Sequence, residues 1–268
     1  MVDANAGSLY VAEGPNWVPT DLGRGPWDPN ALHGGAVAPL LVRELEALPA
    51  PVPMRLARVT VELLRPVTVE PLVPRSEVLR DGAKVGLLEA SLTRASDGVV
   101  LARARALRIR TAEVDFAPPT EDEVPALPDS DSDLLDRSPS GGSYVAFHNS
   151  AVRHRFAQGM FGEVGGAFDW IRLVVPVVPG EPPSGWQRAA AAADFGNGIS
   201  SLVPFDGSTL FINPDLTIHL WREPVGEWVG MRSRTHVSTT GIGASDSSMW
   251  DTTGRIGRTN QSLLLDRF

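Results

Sequence analysis

The alternation of apolar and polar residues along the chain draws one design twice. In the first half a short β-like segment at Ser8–Ala12 gives way to loop signals (GPN, GRGPWDPN), and then to HGGAVAPLLVRELEAL, His33 to Leu48. Within that run Val37, Leu40, Leu41, Leu45 and Leu48 fall on one helical stripe. Three strand-like runs follow: Leu56–Leu64, Arg75–Thr93 with a turn at Asp81-Gly82, and Gly98–Ile109. The second half repeats the order, with strand material at Tyr144–Phe156 and Trp170–Val178 and a helix predicted over Trp186–Ser201. Runs at Phe211–Trp221 and Glu227–Ser238 and the segment MWDTTGRIGRTNQSLLLD complete it. Two short echoes accompany the shared order: LLRPV at 63–67 with LWREPV at 220–225, and DGVVLARARALRIR with TGRIGRTNQSLLLD. A long helix followed by an antiparallel meander, twice over, predicts an α+β fold.

Between the copies the polypeptide changes character. Thr111–Gly142 is rich in Asp, Glu, Pro and Ser and has little apolar periodicity, so it reads as an exposed linker or surface loop. The expected organisation is an N-terminal unit over 1–112, an acidic linker over 113–140 and a C-terminal unit over 141–268. On this reading, deleting part of the linker costs little stability. Nine of the 32 acidic residues lie between Glu113 and Asp136, with no basic residue among them; the other 23 face 24 Lys and Arg. The body is thus nearly neutral, and the net charge of −8 does not argue against an anionic ligand.

Composition excludes several chemistries. With no cysteine there is no disulfide, thiolate metal site or Cys nucleophile, which fits a reducing cytoplasm. No apolar run reaches the roughly 18 to 20 residues of a membrane span, and MVDANAGSLYVAEG lacks the basic start and apolar core of a signal peptide. Lys84 is the single lysine beside 23 arginines, a bias that suggests a high-GC bacterial coding sequence. No basic stripe with interleaved aromatics points to nucleic acid, the five histidines show no metal-ligand spacing, and no cofactor is implied.

Three features carry candidate chemistry. His33-Gly34-Gly35 opens a helix, where free N–H groups favour developing negative charge and glycines admit close approach; a tight turn into the helix explains the same residues. The lipase-like reading of HGG has no G-x-S-x-G elbow to support it. Asp194 follows five alanines, so burial should raise its pKa and make it a general base, unless it only bonds the local backbone near Gly196. Asn213 and Gln261 are polar residues in strand-like runs and face either a site or solvent. The GNG at 196–198 ends a helix instead of opening one, which discounts a dinucleotide loop. His154 and His219 read as ordinary strand or surface residues.

NALHGGAVAPLL (30–41), VELLRPV (61–67) with EVLRDGAKVG (77–86), AADFGNG (192–198), NPDLTIHLWREP (213–224) and RTNQSLLL (258–265), in that order, resemble the double-hotdog acyl-CoA thioesterases of the thioesterase II type. The resemblance covers almost the whole chain. It implies two tandem hotdogs with sheets joined edge to edge, helices 33–48 and 186–201 equivalent, and hydrolysis of acyl-CoA by an activated water. In that family an Asp, a Thr and a Gln of the second hotdog hold the water. The Asp and Gln fall on Asp194 and Gln261, and the Thr position falls on Asn213, with Thr217 a weaker substitute. His33, Gly34 and Gly35 become substrate-binding residues, acyl-CoA the partner, and a homo-oligomer stays open. Two alternatives remain: an acyl-CoA-binding protein without catalysis, and a hotdog hydratase or dehydratase. The latter needs an Asp/His pair, and Asp194 has no histidine close in sequence.

Overall fold

The computed structural model describes residues 7–115, 123–132, 144–203 and 208–267; residues 1–6 and parts of the acidic stretch, on which some sequence expectations fall, lie outside this range. In the first half β1 (Tyr10–Glu13) and β2 (Asn16–Pro19) precede helix α1 (Gly34–Glu46), and β3 (Met54–Leu63), β4 (Leu72–Arg80), β5 (Val85–Arg94) and β6 (Val100–Arg110) follow it. The second half contains β7 (Val152–Gln158), β8 (Ala167–Leu173) and α2 (Gly185–Ala193). It continues with β9 (Thr209–Ile212), β10 (Asp215–Leu220), β11 (Trp228–Val237), β12 (Ile242–Asp251) and β13 (Gly254–Arg267).

These strands form one antiparallel sheet in the order β1-β2-β4-β5-β6-β3-β10-β13-β12-β11-β8-β7, with β9 also on β13. The sequence of strands reads the same outward from the β3–β10 joint in both directions, so the halves meet across a pseudo-twofold. Thr60 and Thr217 sit directly opposite each other at that joint, their hydroxyls 3.3 Å apart. Two edges that would otherwise expose unpaired N–H and C=O groups are thereby paired. The architecture is α+β, a double hotdog.

Each sheet half curves over its helix. On α1 nearly every side is apolar and buried, from Ala36 and Val37 through Leu40, Leu41 and Val42 to Leu45; such a helix belongs in a core and not on a surface. Five consecutive alanines, Ala189 to Ala193, are buried on α2. Their small side chains let α1 approach closely, and a Cβ added to Gly35 would lie 2.8 Å from the carbonyl oxygen of Ala191. The helix contacts are reciprocal. The start of α1 meets the end of α2 at Asp194, and at the start of α2 Ser184 and Gln187 donate to Glu46 at the end of α1.

Three boundaries differ from expectation for local reasons. Helix α2 stops at Ala193, with Asp194 as its C-cap, because Gly196 and Gly198 favour turns over a continued helix. The 211–221 run divides at Asn213-Pro214, where proline lacks a ladder N–H. The last segment is the second arm of a hairpin whose first arm, β12, begins back at Ile242.

The acidic stretch is more than an exposed tether. Among its described residues, Val124 and Leu127 pack on Phe168, Trp170 and Trp250 on the outer face of the second half. Trp170 Nε1 donates to Ala126 O at 3.2 Å, Arg155 Nη1 donates to Pro128 O at 2.8 Å, and Ser132 N donates to His154 O at 2.8 Å. This strap covers aromatic surface, which corrects the reading of the segment as an exposed linker or loop. Replacing Leu127 by Ala should lower unfolding stability by about 1–2 kcal/mol, less than for a fully buried leucine. Urea titrations would measure it; an unchanged midpoint would show that the strap adds no stability.

Candidate functional site

Asp194 is the centre around which the site is built. Its residue is 8% exposed, and a carboxylate so deep requires donors on every side. One set comes from the other half of the molecule. At the start of α1, Gly35 N–H donates to Asp194 Oδ2 at 2.8 Å, and His33 Nδ1 lies 2.8 Å from the same oxygen. Gly35 N also lies 2.9 Å from His33 Nδ1. Nδ1 cannot both accept from Gly35 and donate to Asp194; the carboxylate is the stronger acceptor, so we assign both hydrogens to it. Steric fit explains the glycines. A Cβ on Gly34 would lie 2.6 Å from Asp194 Oδ1, and one on Gly35 would lie 2.6 Å from Phe147 Cε1.

The remaining donors come from the second half. Asn213, between β9 and β10, donates from Nδ2 to Asp194 Oδ1 at 2.9 Å and reaches Asp215 O at 3.3 Å. Gln261, on the inward face of β13, donates to the main-chain oxygen of Asp194 at 3.1 Å and accepts from Asn197 N at 3.1 Å. Its Nε2 is 3.5 Å from Asp194 Oδ1. Gln261 thus braces the turn that ends α2. Below Gly196 lie the hydroxyls of Ser245 and Ser247, close enough that a Cβ there would meet them at 3.2 and 3.1 Å.

Electrostatics reverse one sequence expectation. Burial pushes the Asp194 pKa up, but the opposing pull of His33, with the hydrogen bonds from His33, Asn213 and Gly35, outweighs it and leaves the pKa below the ordinary carboxylate value. Asp194 is therefore an ionised carboxylate with a hydrogen bond to each of its oxygens. Desolvation alone was legible in AAAAAD; the compensating donors come from residues far away in the chain.

All six residues singled out from the sequence, His33, Gly34, Gly35, Asp194, Asn213 and Gln261, converge here. Thr217 does not: it faces outward at the β3–β10 joint opposite Thr60. The Asn213 amide supplies to Asp194 the single hydrogen bond that a hydroxyl would give. No histidine lies close to Asp194 in sequence, but His33, drawn from the other half, pairs with it in space.

An aromatic wall adjoins the pair, and sequence reasoning passed over it. The His33 ring lies 4.9 Å, centroid to centroid, from both Phe147 and Phe195. Beyond Phe195 are Phe161 and the buried pair His154–Asp169, joined at 2.5 Å. The spacing of Val152, His154 and Phe156 on β7 is the signal that could have placed His154 inside.

The sequence model of the acyl-CoA thioesterase C-terminal domain matches residues 121–265, and that of the N-terminal domain matches residues 23–126. No curated relative matches the chain by sequence. Among solved structures, a hot dog fold protein of unknown function from Alicyclobacillus acidocaldarius aligns with TM-score 0.70 at 14% identity over 98% of this chain and 97% of its own. An acyl-CoA thioesterase II from Mycobacterium marinum aligns with TM-score 0.67 at 16% identity over 96% and 94%. The tesB protein of Mycobacterium avium subs paratuberculosis gives 0.62 at 14% identity over 98% of each chain. At these identities the likeness is one of fold.

The depressed pKa of Asp194 has a sign that can be tested. Asp194 contributes stability that is fully present above its unfolded pKa of about 3.9 and is lost as pH falls through the lower folded value. The stability difference between wild type and Asp194→Asn should therefore narrow below about pH 4. Urea titrations across that range would show it, and a difference that widens toward acid would reverse the assignment.

Proposed function

The chain belongs to the acyl-CoA thioesterase family, and we propose that it hydrolyses acyl-CoA thioesters to the free acid and CoA, with Asp194 as the base that activates the attacking water. The observation that carries this reading is an ionised, nearly buried carboxylate held by Gly35, His33 and Asn213 at the start of α1. A thioester carbonyl is electrophilic enough for water to attack without a covalent intermediate. The water gives its proton to Asp194 Oδ1 as its oxygen bonds to the carbonyl carbon. The oxyanion faces the N-terminus of α1, where Gly34 N–H is one of the donors that a helix leaves without an internal partner. Collapse breaks the C–S bond, and the proton held on Asp194 passes to the departing sulfur. Asn213 offers its amide oxygen to the water, Gln261 fixes the carboxylate through the turn, and His33 keeps it charged. No step needs a metal or a cofactor. We further propose that two units, 1–112 and 141–268, correspond to the two hotdogs.

A second reading has an observation of its own. The His33–Asp194 pair is the acid–base equipment a hotdog hydratase would use, and an enoyl-CoA added to the same assay separates the two. Hydrolysis releases free thiol; hydration removes the conjugated double bond and releases none.

Asp194→Asn keeps the shape of the site and removes the base. Its kcat should fall by about 10²-fold or more, with KM little changed. Gln261→Ala should lower kcat less, because a proton acceptor remains, and the double variant should lose less than the product of the single losses. His33→Asn should move the acid limb of the kcat profile to higher pH, since Asp194 loses the partner that holds its pKa down. Thiol-release kinetics would read all four variants. Wild-type rates in Asp194→Asn would end the mechanism.

A further inference from the structure

The hydrolysis just described leaves a second buried ionisable pair without a task. His154 on β7 and Asp169 on β8 have fully buried side chains, with Nδ1 2.5 Å from Asp169 Oδ2. Asp169 Oδ1 also accepts from Arg155 N at 3.1 Å. The other imidazole nitrogen, Nε2, is buried and has no hydrogen-bond partner among the described residues.

Proton counting gives that nitrogen its character. So deep a pair is most stable with no net charge. It is then either imidazolium with carboxylate or imidazole with carboxylic acid; burial, which pushes the Asp169 pKa up, favours the second against the pull of His154. Both forms place one hydrogen between Nδ1 and Asp169 and another on Nε2. Nε2 is therefore a donor, and an unmatched buried donor is costly. The imidazole is surrounded by the rings of Phe161 and Phe195, at 5.0 and 4.8 Å between centroids and steeply inclined to it, with Phe156 stacked at 6.2 Å. A ring face is a weak acceptor and does not replace an oxygen.

Position ties the pair to the reaction. Phe195 follows Asp194 in the chain, and its ring contacts both imidazoles, 4.9 Å from that of His33 and 4.8 Å from that of His154. The His154 imidazole is thus two ring contacts away from the His33 imidazole that lies beside Asp194. On the far side Phe161 is only partly buried and is carried by a loop in which Gly159, Gly162 and Gly165 all have positive φ.

We propose that His154 is a specificity-determining residue whose Nε2–H binds an oxygen on the acyl chain, so that the site selects hydroxy- or oxo-substituted acyl groups over plain alkyl ones of equal length. The proposal rests on the thioesterase reading and deepens it. Asp169 is a positioning residue, holding the imidazole so that Nε2 keeps its hydrogen.

Thiol release from acyl-CoAs matched in length, plain or carrying a hydroxyl or keto group at successive carbons, tests this. Wild type should favour one substituted position by at least about tenfold in kcat/KM, the size of one hydrogen bond. His154→Phe combined with Asp169→Leu removes both members, so no charge is stranded; it should abolish the preference while plain chains are still hydrolysed. Asp169→Asn should retain it, since the amide oxygen can take Arg155 N–H and its NH₂ can donate to Nδ1. Equal kcat/KM for plain and substituted chains in wild type, or a preference that survives the double variant, overturns the proposal. Absence of thiol release from every acyl-CoA instead overturns the thioesterase reading, and this proposal with it. The wild-type comparison decides the matter by itself should the double variant fail to fold.

Discussion

A carboxylate buried where two helices meet has to be matched by donors, and in this protein that requirement joins the two halves of the chain. Asp194 ends α2, and the groups that neutralise the cost of burying it stand at the start of α1, 159 residues away at Gly35. The approach must be close, which excludes any side chain at position 34 or 35, and directed, which makes a helix N-terminus suitable. The alanines of α2 follow from the same constraint, since larger residues would hold the helices apart. Asp194, His33 and the N-terminus of α1 are thus assembled by one contact.

Duplication explains why such a contact exists in two versions, of which the one at Asp194 is the candidate site. The pseudo-twofold at the β3–β10 joint sets each helix start against the other helix end. At the opposite end Ser184 and Gln187 hold Glu46 in a simple polar contact. At the Asp194 end the glycines, Asn213 and Gln261 add close approach, ionisation and bracing. The sheet is shared while the two helix-end contacts differ.

The order of elements was legible because helix stripes and strand alternation record which face is buried. The residue types gathered around Asp194 were singled out through family resemblance, with Asn213 standing where the family has Thr. What stayed hidden has identifiable physical causes. The first part of β12 places Gly243, Ser245 and Ser247 on its inward face, so no apolar alternation marks it. The acidic strap conceals Val124 and Leu127 among charges, although these are the residues that pack on Trp170 and its neighbours. The direction of the Asp194 pKa shift depends on His33 and Asn213, which no local window contains. The pairing of His154 with Asp169 joins two strands whose relation only the register reveals.

The central claim is that water, activated by Asp194, attacks the thioester directly. A single turnover of acyl-CoA in ¹⁸O-labelled water, with enzyme in excess, tests it at the bond being made. Direct attack places the heavy oxygen in the released acid during the first turnover and leaves Asp194 unlabelled. Unlabelled acid with the heavy isotope in the Asp194 carboxylate would mean that the carboxylate itself attacks, and that result would contradict the account.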